Sequence, residues 1–506
     1  MRTKKALYNI LGQIGYEVVA AICGLIILRL ILSAFGSSYN GMVSSITQFL
    51  EYISILTLGI SGSTRVALYK AKSKDDVRAE SAILKATEIY MRKVALAFVV
   101  YTAALTIIYP YIVRTDFQWI ESASLVVIIA LGTFAEYFFG ITYRTYLMAS
   151  QSMYVYNIIQ IFSKIANTLM SVVLIKLGCT IQIVKLGSAV CFVASPIILN
   201  YVVRKKYGII KDVEPDNSAL KQRGNVMAHS IANIVHRYTD IFVLTLFTST
   251  EVVSVYFVYT LVLGTLRKMQ NVFTTGMEAA FGELWARGEK DKFEFNLNIF
   301  EYLVFAFASV VFSCAALMIL PFIKIYTKGV TDINYLIPSF ALLSVAAYAM
   351  QSLRTPYLIA VQAAGKYKET RNGAFVEAGL NLGLSVLMVF KLGIIGVTIG
   401  TLAANTFRTV QYAVYLHKNL LDRNFSKFIK RFVWLAINNV IIYALKYILP
   451  SFDIDNWTQW MISGFYYFAI AVIVTITTSL IFYREDLTQG VVVAKRMLAH
   501  KITKKK

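Results

Sequence analysis

Two similar stretches decide the fold of this chain, Asn167-Thr-Leu-Met-Ser171-Val-Val-Leu-Ile-Lys176-Leu-Gly178 and Asn381-Leu-Gly-Leu-Ser385-Val-Leu-Met-Val-Phe-Lys391-Leu-Gly393. An Arg-Thr pair precedes each copy, at Arg144 and at Arg354, so the whole pattern occurs twice in the same order. Both copies lie in strongly apolar sequence. Internal repeats of this size in an apolar chain are typical of a transporter that is built from two similar halves.

Composition places the chain in a membrane. Hydrophobic residues make up 57% of the 506 positions and charged residues only 15%, which is more apolar surface than a soluble protein can bury. Continuous apolar runs of about 20 residues are long enough to cross a bilayer as helices, and they predict an all-α integral membrane protein with 14 transmembrane helices. The runs are 7–33, 40–63, 92–113, 122–147, 154–176, 180–203, 224–248, 253–278, 297–325, 333–362, 370–391, 393–417, 428–449 and 458–483.

The distribution of basic residues predicts the orientation of these helices. With both termini in the cytoplasm, thirty-six of the fifty Lys and Arg fall in cytoplasmic segments, as is typical of membrane proteins. The net charge of +22 is therefore explained by topology. Nucleic-acid binding is the poorer explanation, because the basic residues are spread over many short loops.

A charged segment near the middle divides the chain. We expect an N-terminal six-helix lobe at 1–204, a cytoplasmic linker at 205–223 and a C-terminal six-helix lobe at 224–418. Helices 13 and 14 and a basic cytoplasmic tail occupy 419–506, outside the repeat. Because six is an even number, both lobes enter the membrane in the same orientation, as parallel repeats do, and a cleft is expected between them.

The predicted seventh helix carries a stripe of polar residues. Spacings of 4, 4, 3 and 4 place the stripe on one helix face, with Arg237 beside it. Facing lipid would leave these groups unsatisfied, so the stripe must face either water or protein. It lines a substrate or ion path, or it joins helix 7 to a neighbouring helix by hydrogen bonds. The stripe consists of Asn225, His229, Asn233, His236 and Asp240.

Charged residues within the predicted spans indicate the class of substrate. A shift of 216 positions superimposes helices 1 and 2 on helices 7 and 8, so that Glu17 matches Asn233 and Glu51 matches Arg267, beside Lys268. Charges at this depth are costly and are usually functional or paired. Seven basic residues face five acids, so some positive charge remains, which suits an anionic substrate. The basic residues are Arg29, Lys164, Arg237, Arg267, Lys268, Arg354 and Arg408, and the acids are Glu17, Glu51, Glu136, Asp240 and Glu377.

No pattern in the sequence indicates catalysis. The phosphate-binding loop G-x-x-x-x-G-K-[ST] is absent, and the nearest approach to the nucleophile motif G-x-S-x-G, from Gly59 to Ser63, lacks the final glycine. The four cysteines are scattered and form no cluster with histidine. We therefore expect a protein that is not an enzyme and that has no metal site or organic cofactor.

Together these features resemble the multidrug/oligosaccharidyl-lipid/polysaccharide exporter superfamily, and within it the Wzx-type polysaccharide flippases. The resemblance also rests on Gln362-Ala-Ala-Gly-Lys366-Tyr-Lys368, which is followed by Asn381-x-x-x-Ser385. It implies a MATE-like fold in the bacterial cytoplasmic membrane and a cationic central cavity that binds the pyrophosphate-sugar head of a polyprenyl-linked saccharide. The expected ligands are Arg237, Arg267, Lys268, Arg354, Lys164 and Arg408, with Glu17, Glu51, Asn225, His229, Asn233, His236 and Asp240 as polar lining or ion-coupling groups.

The function that this resemblance implies is translocation of an undecaprenyl-pyrophosphate-linked oligosaccharide for cell-surface polysaccharide synthesis, with a polymerase and glycosyltransferases as partners. Helix 1 lacks an inner match for the first-helix arginines of the related lipid II flippases, which argues against lipid II as the substrate. The alternative is a cation-coupled multidrug antiporter of the MATE type. Either H+ or Na+ is the expected coupling ion, and the glycan stays open among capsule, O-antigen, exopolysaccharide and teichuronic acid units.

Overall fold

The computed structural model describes residues 2–113, 117–210, 212–217, 224–274, 277–450, 452–490 and 492. This part of the chain consists of long helices joined by short turns and contains no β-strand. In chain order the helices are α1 (Arg2–Glu51), α2 (Ile60–Lys72), α3 (Val77–Ile112), α4 (Trp119–Ala135), α5 (Ile141–Ala149), α6 (Met153–Lys176), α7 (Ile181–Tyr207), α8 (Gly224–Phe247), α9 (Thr250–Thr274), α10 (Met277–Ala286), α11 (Lys290–Tyr326), α12 (Pro338–Leu353), α13 (Thr355–Ala363), α14 (Tyr367–Leu392), α15 (Ile394–Tyr415), α16 (Ser426–Ile448) and α17 (Trp457–Phe482).

Ten helical segments of the described chain are long and apolar enough to cross a membrane. The composition had predicted such a multi-pass membrane protein. Each of the fourteen predicted stretches lies mostly within helix, and the count of fourteen spans stays a prediction. The main difference is at the start, where one long helical segment, α1, covers the first predicted stretch and half of the second.

A glycine divides this long first helix. At 1.5 Å per residue, α1 is about 75 Å long, more than twice the thickness of the hydrocarbon core. At Gly36 the backbone has φ 83° and ψ 178°, a conformation that residues with a side chain rarely adopt. The carboxylate of Asp332 accepts hydrogen bonds from Ser37, at 2.6 Å from its backbone nitrogen and 2.7 Å from its hydroxyl. The break therefore ends one apolar segment and starts the next.

The described chain forms two compact units. The first unit consists of Met1–Val272, Gly329–Ile333 and Asn381–Val397, and the second of Phe273–Lys328, Asn334–Leu380 and Thr398–Lys506. The predicted lobe boundaries at 204, 224 and 418 stay a prediction. Residues 211 and 218–223 of the predicted linker and 493–506 of the predicted tail lie outside the described residues.

In the first unit, α6 packs between α1 and α7, and α7 also packs against α4. Aromatic and aliphatic residues of α1 and α3 fill the interior, among them Phe49, Met91 and Phe98. In the second unit, α11 packs against α12, α16 and α17. Because lipid is as apolar as these side chains, close packing and interhelical hydrogen bonds stabilise such contacts more than the hydrophobic effect does.

A partly buried Glu-Tyr-Arg triad joins three helices in the first unit. The Nε of Arg204, near the end of α7, donates to the hydroxyl of Tyr143 on α5 at 2.6 Å. Its Nη2 lies 3.1 Å from a carboxylate oxygen of Glu88 on α3. We call these residues the first triad.

The second unit contains the same three residue types in the same chain order. The Nη2 of Arg423, in the segment between α15 and α16, lies 2.8 Å from a carboxylate oxygen of Glu301 on α11. The hydroxyl of Tyr357 on α13 donates to the other oxygen of Glu301. This second triad has the residue types and the chain order of the first, although Arg204 lies within α7 and Arg423 lies in the segment between α15 and α16.

Candidate functional site

A cavity of about 660 Å³ opens within the first unit. Residues of α1, α4, α5, α6 and α7 line it. Most of the wall is apolar, but five ionisable side chains converge on it, which is the pattern of a site for a ligand with a charged group. They are Glu51, Glu136, Arg144, Lys164 and Lys185.

Helical periodicity explains how α6 and α7 contribute to this wall. Tyr156, Gln160, Lys164 and Asn167 follow one another at intervals of four, four and three residues, so they share one face of α6. The ammonium group of Lys164 lies 4.8 Å from the centre of the Phe192 ring on α7. An aromatic ring attracts a cation but carries no net charge, so Phe192 does not offset a positive charge on Lys164.

A π-turn at Glu136–Gly140, between α4 and α5, brings the Glu136 carboxylate to the cavity. A Cβ at position 140 would lie 2.5 Å from this carboxylate, so a larger residue there would displace the Glu136 side chain. One carboxylate oxygen of Glu136 is buried without a hydrogen-bond partner among the described residues. Arg144 is close enough to act on Glu136 electrostatically and lies 5.0 Å from the ring of Tyr156. Such turns frequently occur at functional sites.

The last residue of α1 connects the cavity with α8. Glu51 bonds to Tyr238, and the exposed Arg237 is close enough to attract its charge. Lys268 on α9 is exposed and close enough to Lys164 for the two charges to interact. The lining itself holds three basic and two acidic side chains, so the charge of this region is net positive.

Two predicted ligands, Arg354 and Arg408, lie instead in the interior of the second unit. Both form ion pairs with the carboxylate of Glu377. Nη1 of Arg354 lies 2.5 Å from one carboxylate oxygen, and Nε of Arg408 lies 3.4 Å from the other. Arg408 is only 1% exposed and also donates to the carbonyl of Thr370 at 2.9 Å and to the hydroxyl of Tyr412 at 2.7 Å. These contacts give both guanidinium groups an ion-pair partner inside the protein, as buried arginines require.

Part of the polar stripe on the seventh predicted helix also contacts protein. The side-chain amide of Asn381 donates to Asp240 at 3.1 Å and lies 3.2 Å from Nδ1 of His236. The hydroxyl of Tyr256 donates to Asp240 at 2.5 Å, and Ser385 donates to Asn381 at 3.2 Å. The side chains of Asn225, His229 and Asn233 lie outside the described residues.

The remaining predicted residues take other positions in the first unit. Glu17 is half-buried and accepts a hydrogen bond from Gln13 at 2.9 Å, one turn earlier on α1. It is absent from the lining of the cavity. Arg267 is half-buried and also lies outside that lining. The cavity therefore contains Lys164 and Glu51, with Arg237 and Lys268 close to them.

Sequence reasoning missed three ionisable residues of the cavity. It used Arg144 as a marker of the repeat, counted Lys185 as extracellular, and counted Glu136 only among the acids within spans. The spacing of Gln160, Lys164 and Asn167, at intervals of four and three residues, could have predicted this polar face of α6. No sequence pattern predicts the π-turn that places Glu136.

Comparisons with known proteins identify the fold. No protein-family model matches the chain. No curated protein matches its sequence either. Among solved structures, the lipid II flippase MurJ in an inward closed conformation aligns with a TM-score of 0.70 at 16% identity, covering 94% of this chain and 99% of the flippase. The chain therefore shares the fold of this flippase.

Two other MOP-superfamily structures support this assignment. An inward-facing multidrug resistance MATE transporter aligns with a TM-score of 0.61 at 13% identity, covering 80% of this chain and 97% of the transporter. A MOP transporter from Pyrococcus furiosus aligns at 0.62 and 12% identity, covering 84% and 97%. The predicted MATE-like fold is thus confirmed. At these identities, the substrate must be argued from the side chains.

Proposed function

We propose that this protein is a flippase that moves an undecaprenyl-pyrophosphate-linked oligosaccharide unit across the bacterial cytoplasmic membrane for surface polysaccharide synthesis. The observation that supports this proposal is the net positive cavity of the first unit. A pyrophosphate head carries two or more negative charges. Burying it in a membrane is prohibitive unless cations compensate it along the way.

The three basic residues of the cavity offer such compensation at successive depths. Along α6, Lys164 lies about 18 Å from the turn that leads to α7, and Lys185 lies about 6 Å from the same turn. Arg144 lies about 8 Å before the opposite end, which α5 and α6 share. A pyrophosphate could therefore pass from one cation to the next in steps of about 10 Å. Glu51 and Glu136 would balance these cations when no substrate is present.

Conformational change in this proposal is coupled to H+ or Na+. The cluster of Asp240, His236 and Asn381 combines a buried carboxylate with an imidazole, which titrates near neutral pH in water. Arg267, Arg237 and Lys268 extend the anion-binding surface outside the cavity. The topology has fourteen spans with both termini in the cytoplasm, and the polymerase and glycosyltransferases of the same polysaccharide are the expected partners.

A cation-coupled multidrug antiporter is the second candidate, because MATE transporters share this fold and because two carboxylates line the cavity. An antiporter for organic cations needs a site with net negative charge. Here the basic residues outnumber the acids. We therefore favour an anionic substrate.

The proposal can be tested by substitution of Lys164 in cells that lack the native copy of the gene. Lys164→Ala should abolish surface polymer at normal protein abundance, and Lys164→Arg should keep partial export because the charge remains. The matched control is Lys176→Ala, which removes an exposed lysine from the last turn of the same helix. Full polymer export by Lys164→Ala would contradict an anion site in this cavity.

A further inference from the structure

A second opening lies on the other side of the α6–α7 pair. This apolar groove has a volume of about 400 Å³. Phe162 on α6 is 69% exposed there, and Val190 on α7 is 61% exposed. The cavity and the groove therefore flank the same two helices, and only the cavity is lined by charged side chains. Other residues of the groove are Ile159, Ala166, Ala194 and Ile198.

The wall between the cavity and the groove is thin, and one of its hydroxyl groups has no hydrogen-bond partner among the described residues. Ser195 lines both of them, is 4% exposed, and has a hydroxyl without a hydrogen-bond partner among the described residues. Ser163 joins the helices by donating to the carbonyl of Cys191 at 3.2 Å. Small side chains such as these let two helices approach closely without filling the seam.

Two features of the helices relate this wall to the cavity. Lys164, which faces the cavity, directly follows Ser163, which lines the groove. On α7, Pro196 has no N–H group, so it cannot donate to the carbonyl of Phe192 one turn earlier. The hydrogen bonding of α7 is therefore weakened beside the unpaired Ser195.

We propose that α6 and α7 separate at the seam beside Ser195, so that the groove holds the first isoprene units of the lipid-linked substrate while its pyrophosphate lies at Lys164 in the cavity. This inference rests on the proposed function. A polyprenyl pyrophosphate has a head that is costly to place in lipid and a chain that is costly to place in water. Of the described surfaces, the seam at Ser195 offers an apolar groove and a cationic cavity on either side of one thin wall.

The groove positions the chain and adds little to affinity, because the bilayer already solvates isoprene units. Crosslinking is therefore a better test than binding strength. A photoreactive residue in place of Phe162 would be exposed to radiolabelled undecaprenyl pyrophosphate in phosphatidylglycerol nanodiscs. The control is the same residue in place of Phe465, which is 76% exposed on α17. We expect severalfold more labelled adduct at position 162, and we expect Lys164→Ala to remove the excess.

Equal adduct yields at positions 162 and 465 would overturn the inference, because they would show that the labelled lipid contacts the protein only as ordinary boundary lipid. An adduct yield at position 162 that Lys164→Ala does not change would overturn it for the same reason. A second measurement, the amount of radiolabelled lipid that the unmodified protein retains, distinguishes failure of this inference from failure of the proposed function. If retention depends on Lys164 but position 162 gives no excess adduct, the flippase proposal stands and the groove is wrong. If the protein retains no label, both are wrong.

A second variant tests the same groove through transport. Ala166→Trp should fill it from the lipid side and slow export severalfold at unchanged abundance. Ala469→Trp on α17 is the matched control, because Ala469 is also exposed. Export by Ala166→Trp at the rate of the control would contradict a role of the groove.

Discussion

Basic residues within the membrane helices of this protein fall into two groups with different surroundings. Lys164 and Lys185 line an open cavity in the first unit, and Lys164 lies against an aromatic ring. Arg354 and Arg408 are buried in the second unit, where both contact Glu377. Placing a charge in a membrane is costly for both groups. In the second unit a carboxylate offsets this cost, whereas in the first unit the lysines are available to bind an anionic ligand.

The largest expected effect comes from removing the carboxylate that the second group shares. Glu377→Leu would leave two buried guanidinium groups uncompensated, at a cost of about 3–5 kcal/mol. Since folded proteins are stable by only about 5–15 kcal/mol, we expect severe loss of folded protein, measured as abundance in the membrane and as thermal stability in detergent. Glu369→Gln, at an exposed position on the same helix, is the control and should have no such effect. Normal stability of Glu377→Leu would mean that the two groups do not differ.

Arg267 tests where the boundary between the two groups lies. It is half-buried on α9, one position before Lys268. If it belongs with the cavity residues, Arg267→Ala should abolish polymer export at normal abundance, and Arg267→Lys should keep partial function because the charge survives without the bidentate geometry. Export should be measured together with membrane abundance. Loss of abundance with Arg267→Ala would place this residue in the structural group instead.

Water access should also differ between the two groups. In a variant without the four native cysteines, Thr133→Cys places a thiol in the lining of the cavity, and Thr409→Cys places one beside Arg408 in a fully buried position. A membrane-impermeant thiol reagent should label the first and leave the second unlabelled. Labelling of both at similar rates would show that water reaches the arginines as well.

The two triads repeat this contrast on a smaller scale. In the second triad the side chains of Arg423 and Glu301 are 3% and 0% exposed, whereas in the first triad those of Arg204 and Glu88 are 27% and 11% exposed. Arg423→Met should therefore lower stability by about 3–5 kcal/mol and Arg204→Met by about 1–2 kcal/mol. Thermal unfolding in detergent would show the order. The reverse order would mean that burial does not determine how much these ion pairs contribute to stability.

The sequence predicts the fold well because composition and repetition are global signals. The Asn-x-x-x-Ser motif predicts two similar halves, which stays a prediction, and each unit of the structure contains a Glu-Tyr-Arg triad. The break at Gly36 lies in the gap between the predicted runs 7–33 and 40–63. The sequence also predicts Lys164 and Glu51 in the candidate site, because charge within an apolar run is visible in the sequence.

Most of what the sequence did not predict depends on side chains that pair across different helices. Glu377 is 23 residues from Arg354 and lies on a different helix, so the sequence could not show that the two charges meet. The bonds from Asn381 to His236 and Asp240 also span distant parts of the chain. Counting charges predicts how many must be compensated. Only the packing of helices decides which of them are.

The central claim is that the cations of the first unit carry a pyrophosphate-linked saccharide across the membrane. It is tested most directly by reconstituting the purified protein in liposomes with a fluorescent polyprenyl-pyrophosphate saccharide and an impermeant quencher. We predict rapid exchange of the lipid between leaflets with the unmodified protein, and exchange at the rate of protein-free liposomes with Lys164→Ala/Lys185→Ala. Exchange by this double variant at the rate of the unmodified protein would contradict the claim.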